Sequence, residues 1–404
     1  MAGYPAIDFI IIMKSILSYV LLLMVCAGVT ASTAQPYKPD DPEQIIITVA
    51  QHKQLRNINS LRRQLDAQPD NVKLLDQIIK AYKSLGRYHA DERYFSYAET
   101  ILIPYIESGT NNEVILLHWA DILQRRHQFE QSNVVLDKVL SINPNNINAH
   151  IGGALIYQVR GQYDLAIKHC RAMIGHASSL VLTICITQIS SLEGNLKDSR
   201  MLLEQTIKKY PNVDPSISAW AQTALAEMYL RELNMGKAEL LIRKVLTIAP
   251  RDYYALAVYA DILLYQDRYQ EVINLLHSYT NVDKLFLRVA IAKKSLNQLD
   301  EMTAGQLLIR ISRIKQFSGN EHYRLLSRYY LDFADDPAAA LKLAKKNWVN
   351  QREPEDLILL VRSMVEMGDS VGLHHFSQWV KQNKFQDKRI QMLLPSRLEG
   401  ESDV

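Results

Sequence analysis

An all-α solenoid, a stack of helical hairpins with one continuous inner face, is predicted by three observations on this 404-residue sequence. First, a grid of small, aromatic and glycine positions in "ALIYQVRGQYDLAIKHC" (Ala154, Tyr157, Gly161, Tyr163, Ala166) recurs, with 34 residues from Ala120 to Ala154 and 34 from Ala226 to Ala260. Second, hydrophobic residues make up 48 % and charged residues 22 %, with only 15 Gly and 13 Pro. That composition argues against disorder and against a loop-rich β protein. Third, the chain is longer than the roughly 250 to 300 residues one hydrophobic core serves, a limit that a repeat array avoids.

The N-terminus comes first. From Met13, "MKSILSYVLLLMVCAGVTASTAQ" sets one cation, Lys14, ahead of an apolar run from Ile16 to Val29, then small residues and a cleavage position after Ala34. Those are the parts of a secretory leader, residues 1–34. The preceding "MAGYPAIDFIII" has an acid and no base, so Met13 reads as the true start. Two fates remain open: removal, which makes the protein periplasmic or secreted, or retention of Phe9 to Ala31 as an inner-membrane anchor with Lys14 inside it. Residues 35–71 read as a lead-in, "PYKPDDP", and a first helix. Beyond the leader only Cys170 and Cys185 remain. They either pair, as thiols do in an oxidising compartment, or pack as two small hydrophobes.

Six copies of the grid lie between residues 72 and 280. The first is Leu75, Ile79, Tyr82, Gly86, Tyr88, Phe95 and Ala98, closed by Pro104. Ala or Ser at the small positions lets two antiparallel helices approach, while Tyr, Phe and Leu fill the space beside them. Gly86, Gly161 and Gly194 are expected where the first helix stops in a left-handed conformation, with His127, Leu233 and Asp267 replacing the glycine elsewhere. Pro144, Pro211 and Pro250 end the second helix. Over residues 281–390 the pattern blurs into degenerate capping hairpins, with Pro354 in the proline role, and residues 391–404 read as a polar tail.

Spacing, small positions and recurring proline together resemble the tetratricopeptide repeat. Two segments, "GRYHADERYFSYAETILIPYI" and "AKKNWVNQREPED", look like ones in secreted bacterial tetratricopeptide proteins. The resemblance implies a right-handed solenoid whose first helices line a concave groove. On this sequence the groove row is Gln77, Lys80, His118, Asp121, Gln124, Arg125, Gln158 and Gln188, continued by Trp220, Glu227, Arg231, Tyr254, Asp261 and Tyr265. Trp220, Tyr254 and Tyr265 stand out as aromatic anchors, and Arg231 as a partner for a peptide carboxylate. Elsewhere structural roles suffice: Asp91 and Glu92 offset a helix dipole, Trp348 plugs the terminal hairpin, and Arg352 with Glu353 satisfies a turn.

No HExxH pair, GxSxG elbow, phosphate-cradling glycine loop or CxxC occurs, and His374 and His375 are adjacent, so they point apart on a helix. No catalytic, metal or cofactor residue is assigned, and the chain is not expected to be an enzyme. A net charge of +3 with no basic stripe gives no reason to expect nucleic acid. The expected function is an exported scaffold holding a protein or peptide partner in its groove, in assembly or transport of an envelope component. The alternative is a membrane-tethered structural adaptor, touching the membrane only through its N-terminal segment.

Overall fold

Short polar side chains start the helices that open the first hairpins. Asn71, Asn112, Asn146, Ser178, Asp214 and Asp252 each accept a backbone N–H from the turn that follows, supplying an acceptor that a helix lacks at its own N-terminus. The computed structural model of the chain describes residues 53–317 and 322–394. The leader, the anchor, the "PYKPDDP" lead-in and the last ten residues of the tail lie outside the described residues.

A first helix, α1 (Lys53–Ala67), precedes nine hairpins among the described residues. They are α2 (Val72–His89) with α3 (Arg93–Glu107), α4 (Glu113–Arg125) with α5 (Phe129–Ile142), α6 (Ile147–Val159) with α7 (Tyr163–Ala172), α8 (Ser179–Ser190) with α9 (Leu196–Lys209), and α10 (Pro215–Arg231) with α11 (Met235–Ile248). Then follow α12 (Tyr253–Tyr265) with α13 (Tyr269–Leu276), α14 (Asp283–Ser295) with α15 (Glu301–Phe317), α16 (Tyr323–Asp332) with α17 (Pro337–Asn350), and α18 (Pro354–Met367) with α19 (Ser370–Gln382); a short α20 (Lys388–Gln391) ends the series. The predicted all-helical hairpin solenoid is what the chain forms. Grid residues make the seams: Ala154, Tyr163, Ala166, Tyr229, Ala238, Ala260 and Leu263 are buried, and one apolar cluster runs unbroken from Leu180 to Ala292. Cys170 and Cys185, left open by the sequence, are joined, with Cα atoms 5.7 Å apart, and tie α7 to α8.

The glycine rule holds at Gly161 (φ 69°) and Gly194 (φ 89°), and His127, Leu233 and Asp267 adopt the same left-handed conformation in their repeats. Gly86 departs from it. Helix α2 continues through Gly86 to His89, and the left-handed residue is Ala90 (φ 51°). Gly86 is needed for another reason, because a Cβ there would lie only 2.3 Å from a ring carbon of Phe95 on α3. Gly86→Ala is therefore expected to destabilise by about 1–3 kcal/mol through overpacking. Adding Phe95→Leu should restore part of the loss in urea denaturation; an unchanged midpoint for Gly86→Ala would refute the role.

The groove expected to be open is closed. The chain meets itself, and polar contacts join residues 165 to 192 positions apart: Tyr253 Oη donates to the Tyr88 carbonyl at 2.7 Å, Asn281 to the His89 carbonyl at 3.1 Å, and the Leu196 N–H to Gln386 at 2.9 Å. The Arg352 N–H donates to the Val159 carbonyl at 2.7 Å, and Gln351 to His127 Nδ1 at 2.8 Å. Absent side chains allow this approach, since a Cβ on Gly161 would lie 3.0 Å from the Arg352 side chain and one on Gly194 3.1 Å from that of Lys384. Behind the polar contacts, Leu360, Phe376, Phe385 and Ile390 share one apolar cluster with Tyr163, Cys170 and Leu192. Trp348 belongs to it as expected, edge-on to Phe376 and Trp379.

Candidate binding channel

Closure encloses a central channel of about 2440 Å³. Early repeats present the turns between their helices to it, and later ones the inner faces of α10, α12, α14, α16 and α18. That division decides which groove residues reach the interior. Asp121, Gln124, Arg125, Gln158, Gln188, Glu227, Arg231, Tyr254, Asp261 and Tyr265 line the channel, whereas Gln77, Lys80, His118 and Trp220 do not.

The four outliers have local partners or positions. Lys80 pairs with Asp76 at 2.7 Å, and Gln77 is exposed on the same helix. His118 is buried, bonding Asp76 through Nε2 at 2.9 Å and accepting from Lys83 at 3.3 Å. Burial, then the Lys83 charge, push its pKa down. Trp220 is half-buried, its Nε1–H held by Gln188 at 2.9 Å. Arg231 reaches the channel wall but is only 4 % exposed, and it donates to the Ser191 carbonyl at 2.8 Å and the Ser191 hydroxyl at 2.5 Å. The role expected for it, pairing with a peptide carboxylate, gives way to a structural one that ties α10 to the end of α8.

Tyr254 and Tyr265 are different. Both stand on α12, 46 % and 50 % exposed, facing the channel. The Tyr254 hydroxyl donates to Glu227. Burial raises the Glu227 carboxyl to about 7, against the pull of that bond, so the glutamate is partly protonated near neutral pH.

Residues 281–390, read from sequence as degenerate caps, supply much of the inner wall. Lys284, Arg288, Arg324, Arg328, Asp332, Glu355 and Arg362 line the channel. A usable signal was present: Lys284, Arg324 and Glu355 are the second residues of α14, α16 and α18, the register Tyr254 holds on α12, so the groove row continues beyond Tyr265. These charges are ordered. Asp261 accepts from Arg288 at 2.5 and 2.9 Å and from Arg328 at 2.7 Å. Burial pushes its carboxyl up, but the two guanidinium groups outweigh that and hold it at about 2. Among the described residues no group of three or more His, Cys, Asp or Glu is placed to hold a metal ion.

No protein-family model and no curated protein sequence matches the chain. Solved structures resemble it weakly. A tetratricopeptide repeat protein from Parabacteroides merdae is 15 % identical, covering 70 % of this chain and 98 % of its own at a TM-score of 0.34. PilF of Pseudomonas aeruginosa is 16 % identical over 51 % of this chain and 93 % of its own at 0.37. Human IFIT1, solved as a dimer with PPP-AAAA, is 13 % identical over 84 % and 88 % at 0.44.

Proposed function

We propose that this tetratricopeptide-type solenoid is an exported scaffold that holds an extended segment of a partner protein in its central channel. The carrying observation is the channel itself. Its volume, about 2440 Å³, is more than twice the roughly 300 to 1,000 Å³ of small-molecule pockets, and its wall mixes exposed tyrosines with charged side chains, a surface suited to polymer side chains rather than to one compact ligand. The Cys170–Cys185 bond supports export, because disulfides persist in oxidising compartments. Among the described residues no helix is long and apolar enough to cross a membrane.

The test is selection of random fifteen-residue peptides on the folded protein, followed by affinity measurement on a Tyr254→Ala/Tyr265→Ala variant. Selected peptides should bind that variant about ten-fold or more weakly, the loss of about 1.4 kcal/mol expected of aromatic anchors, with the melting curve preserved. Equal affinity for both proteins, or failure to select any peptide, would remove the channel as the binding site.

A further inference from the structure

Charges on the inner wall are matched from helix to helix. Asp261 of α12 takes Arg288 of α14 and Arg328 of α16. Asp332 takes Arg328 at 3.3 Å and Arg362 at 2.7 Å, and Arg324 is bound by Asp356 and Glu353. Lys284 breaks the pattern. It lines the channel, yet no described residue bonds or pairs with its ammonium; only its backbone carbonyl is engaged, by Arg288 at 2.7 Å. Its largest electrostatic influences are the like charges of Arg288, Arg125 and Arg324 and the opposing carboxylate of Asp252. Burial first, and Arg288 next, bring the ammonium down to about 8, which leaves it charged at neutral pH. A cation kept among cations, in a wall where every neighbouring guanidinium already has an acceptor, is the point at which an incoming anion gains most.

The wall also says what kind of anion. Glu227, Glu353, Glu355 and Asp283 face the same space. A polyanion with a charge on every unit would meet all of these carboxylates. A polypeptide with isolated acids can set one against Lys284 and lay an apolar neighbour on Tyr254, which occupies the same register on the adjacent helix α12. We infer that the channel selects its segment by an acidic side chain, an aspartate or glutamate of the bound polypeptide that pairs with Lys284. This rests on the channel reading above.

Three labelled probes test it on the whole protein: a twelve-residue peptide of repeated Gly-Glu-Phe, its Gly-Gln-Phe counterpart, and a twelve-nucleotide thymidine oligomer. The wild-type protein should bind the glutamate peptide about ten-fold more tightly than the glutamine peptide. Lys284→Gln should remove that preference while leaving affinity for the glutamine peptide unchanged, and because the ammonium bonds no described residue, its melting temperature should not fall. Equal binding of the two peptides, with affinity still lost in Tyr254→Ala, would overturn this inference and leave the channel reading standing. A preference that survives Lys284→Gln places the acid elsewhere and also overturns it. Tighter binding of the oligonucleotide than of the glutamate peptide would replace a polypeptide with a polyanion, and no binding of any probe would defeat both readings.

Discussion

Asp261→Asn is expected to destabilise the protein by about 3–5 kcal/mol, the cost of removing one partner from a buried charge cluster. Asparagine keeps the shape and removes the charge, so among the described residues Arg288 loses its one paired carboxylate and Arg328 one of two, Asp332 remaining. These side chains are 11 to 19 % exposed, too little for water to replace the lost anion. Urea denaturation should show a lower midpoint with an unchanged slope. The companion variant Asp261→Asn/Arg288→Met separates charge from shape: it removes the stranded guanidinium and should recover most of the loss, since apolar replacement of a buried pair is often neutral. pH gives an independent reading. The folded-state value of about 2 lies below the ordinary 3.8, so the unfolded chain takes up the proton first as pH falls, and the stability this carboxylate contributes is complete above about pH 4 and disappears towards pH 2. The gap between wild type and Asp261→Asn should narrow over that window by about 2 kcal/mol, the part of the cost carried by the shift from 3.8 to about 2. A constant gap from pH 7 to pH 2 would mean that the ion pairs are not what Asp261 contributes.

The repeat was legible because its causes are local. A small residue where two helices cross, a left-handed residue at Gly161 and Gly194, a short polar cap at Asn146 or Asp252 and a proline after the second helix are each dictated within one hairpin. Gly86 misled because a glycine can serve a turn or a close contact, and only the position of Phe95 decides between them. Closure was illegible for the same reason at larger scale. It depends on the angle each hairpin adds, summed over about 190 residues, and its contacts, such as Arg352 on Val159 and Gln386 on Leu196, join segments with no sequence relation. The candidate site inherits that division. Tyr254, Tyr265 and Asp261 lie on regular repeats and were found by register. Lys284, Arg288 and Arg328 lie where the apolar grid degrades, although their charged register continues; Trp220 and Arg231 were read as groove residues, but both are held by Gln188 and Ser191 of the neighbouring hairpin, which register within one repeat does not reveal.

Replacing both Cys170 and Cys185 by alanine is expected to cost about 3 kcal/mol, the chain-entropy value for a bridge closing a loop of this length, the two cysteines being 15 positions apart. The effect should reach further than α7 and α8. The same hairpins carry Gly161, Tyr163 and Leu192, and these form the early side of the surface on which α18, α19 and α20 dock. Loosening the bridge therefore frees one wall of the closure. Hydrogen exchange at the Arg352 N–H, bonded to the Val159 carbonyl across that surface, should accelerate in the double variant by more than amides inside α11, whose buried residues belong to a different apolar cluster. Uniform acceleration would mean that the bridge stabilises the whole stack and not the closure. Thiol titration of denatured, unreduced protein adds a check on export, because Cys26 is the third cysteine of the sequence. With the leader removed and the bridge formed, no thiol should react. One reactive thiol would show Cys26 retained, and reaction at Cys170 or Cys185 would remove the argument from redox compartment.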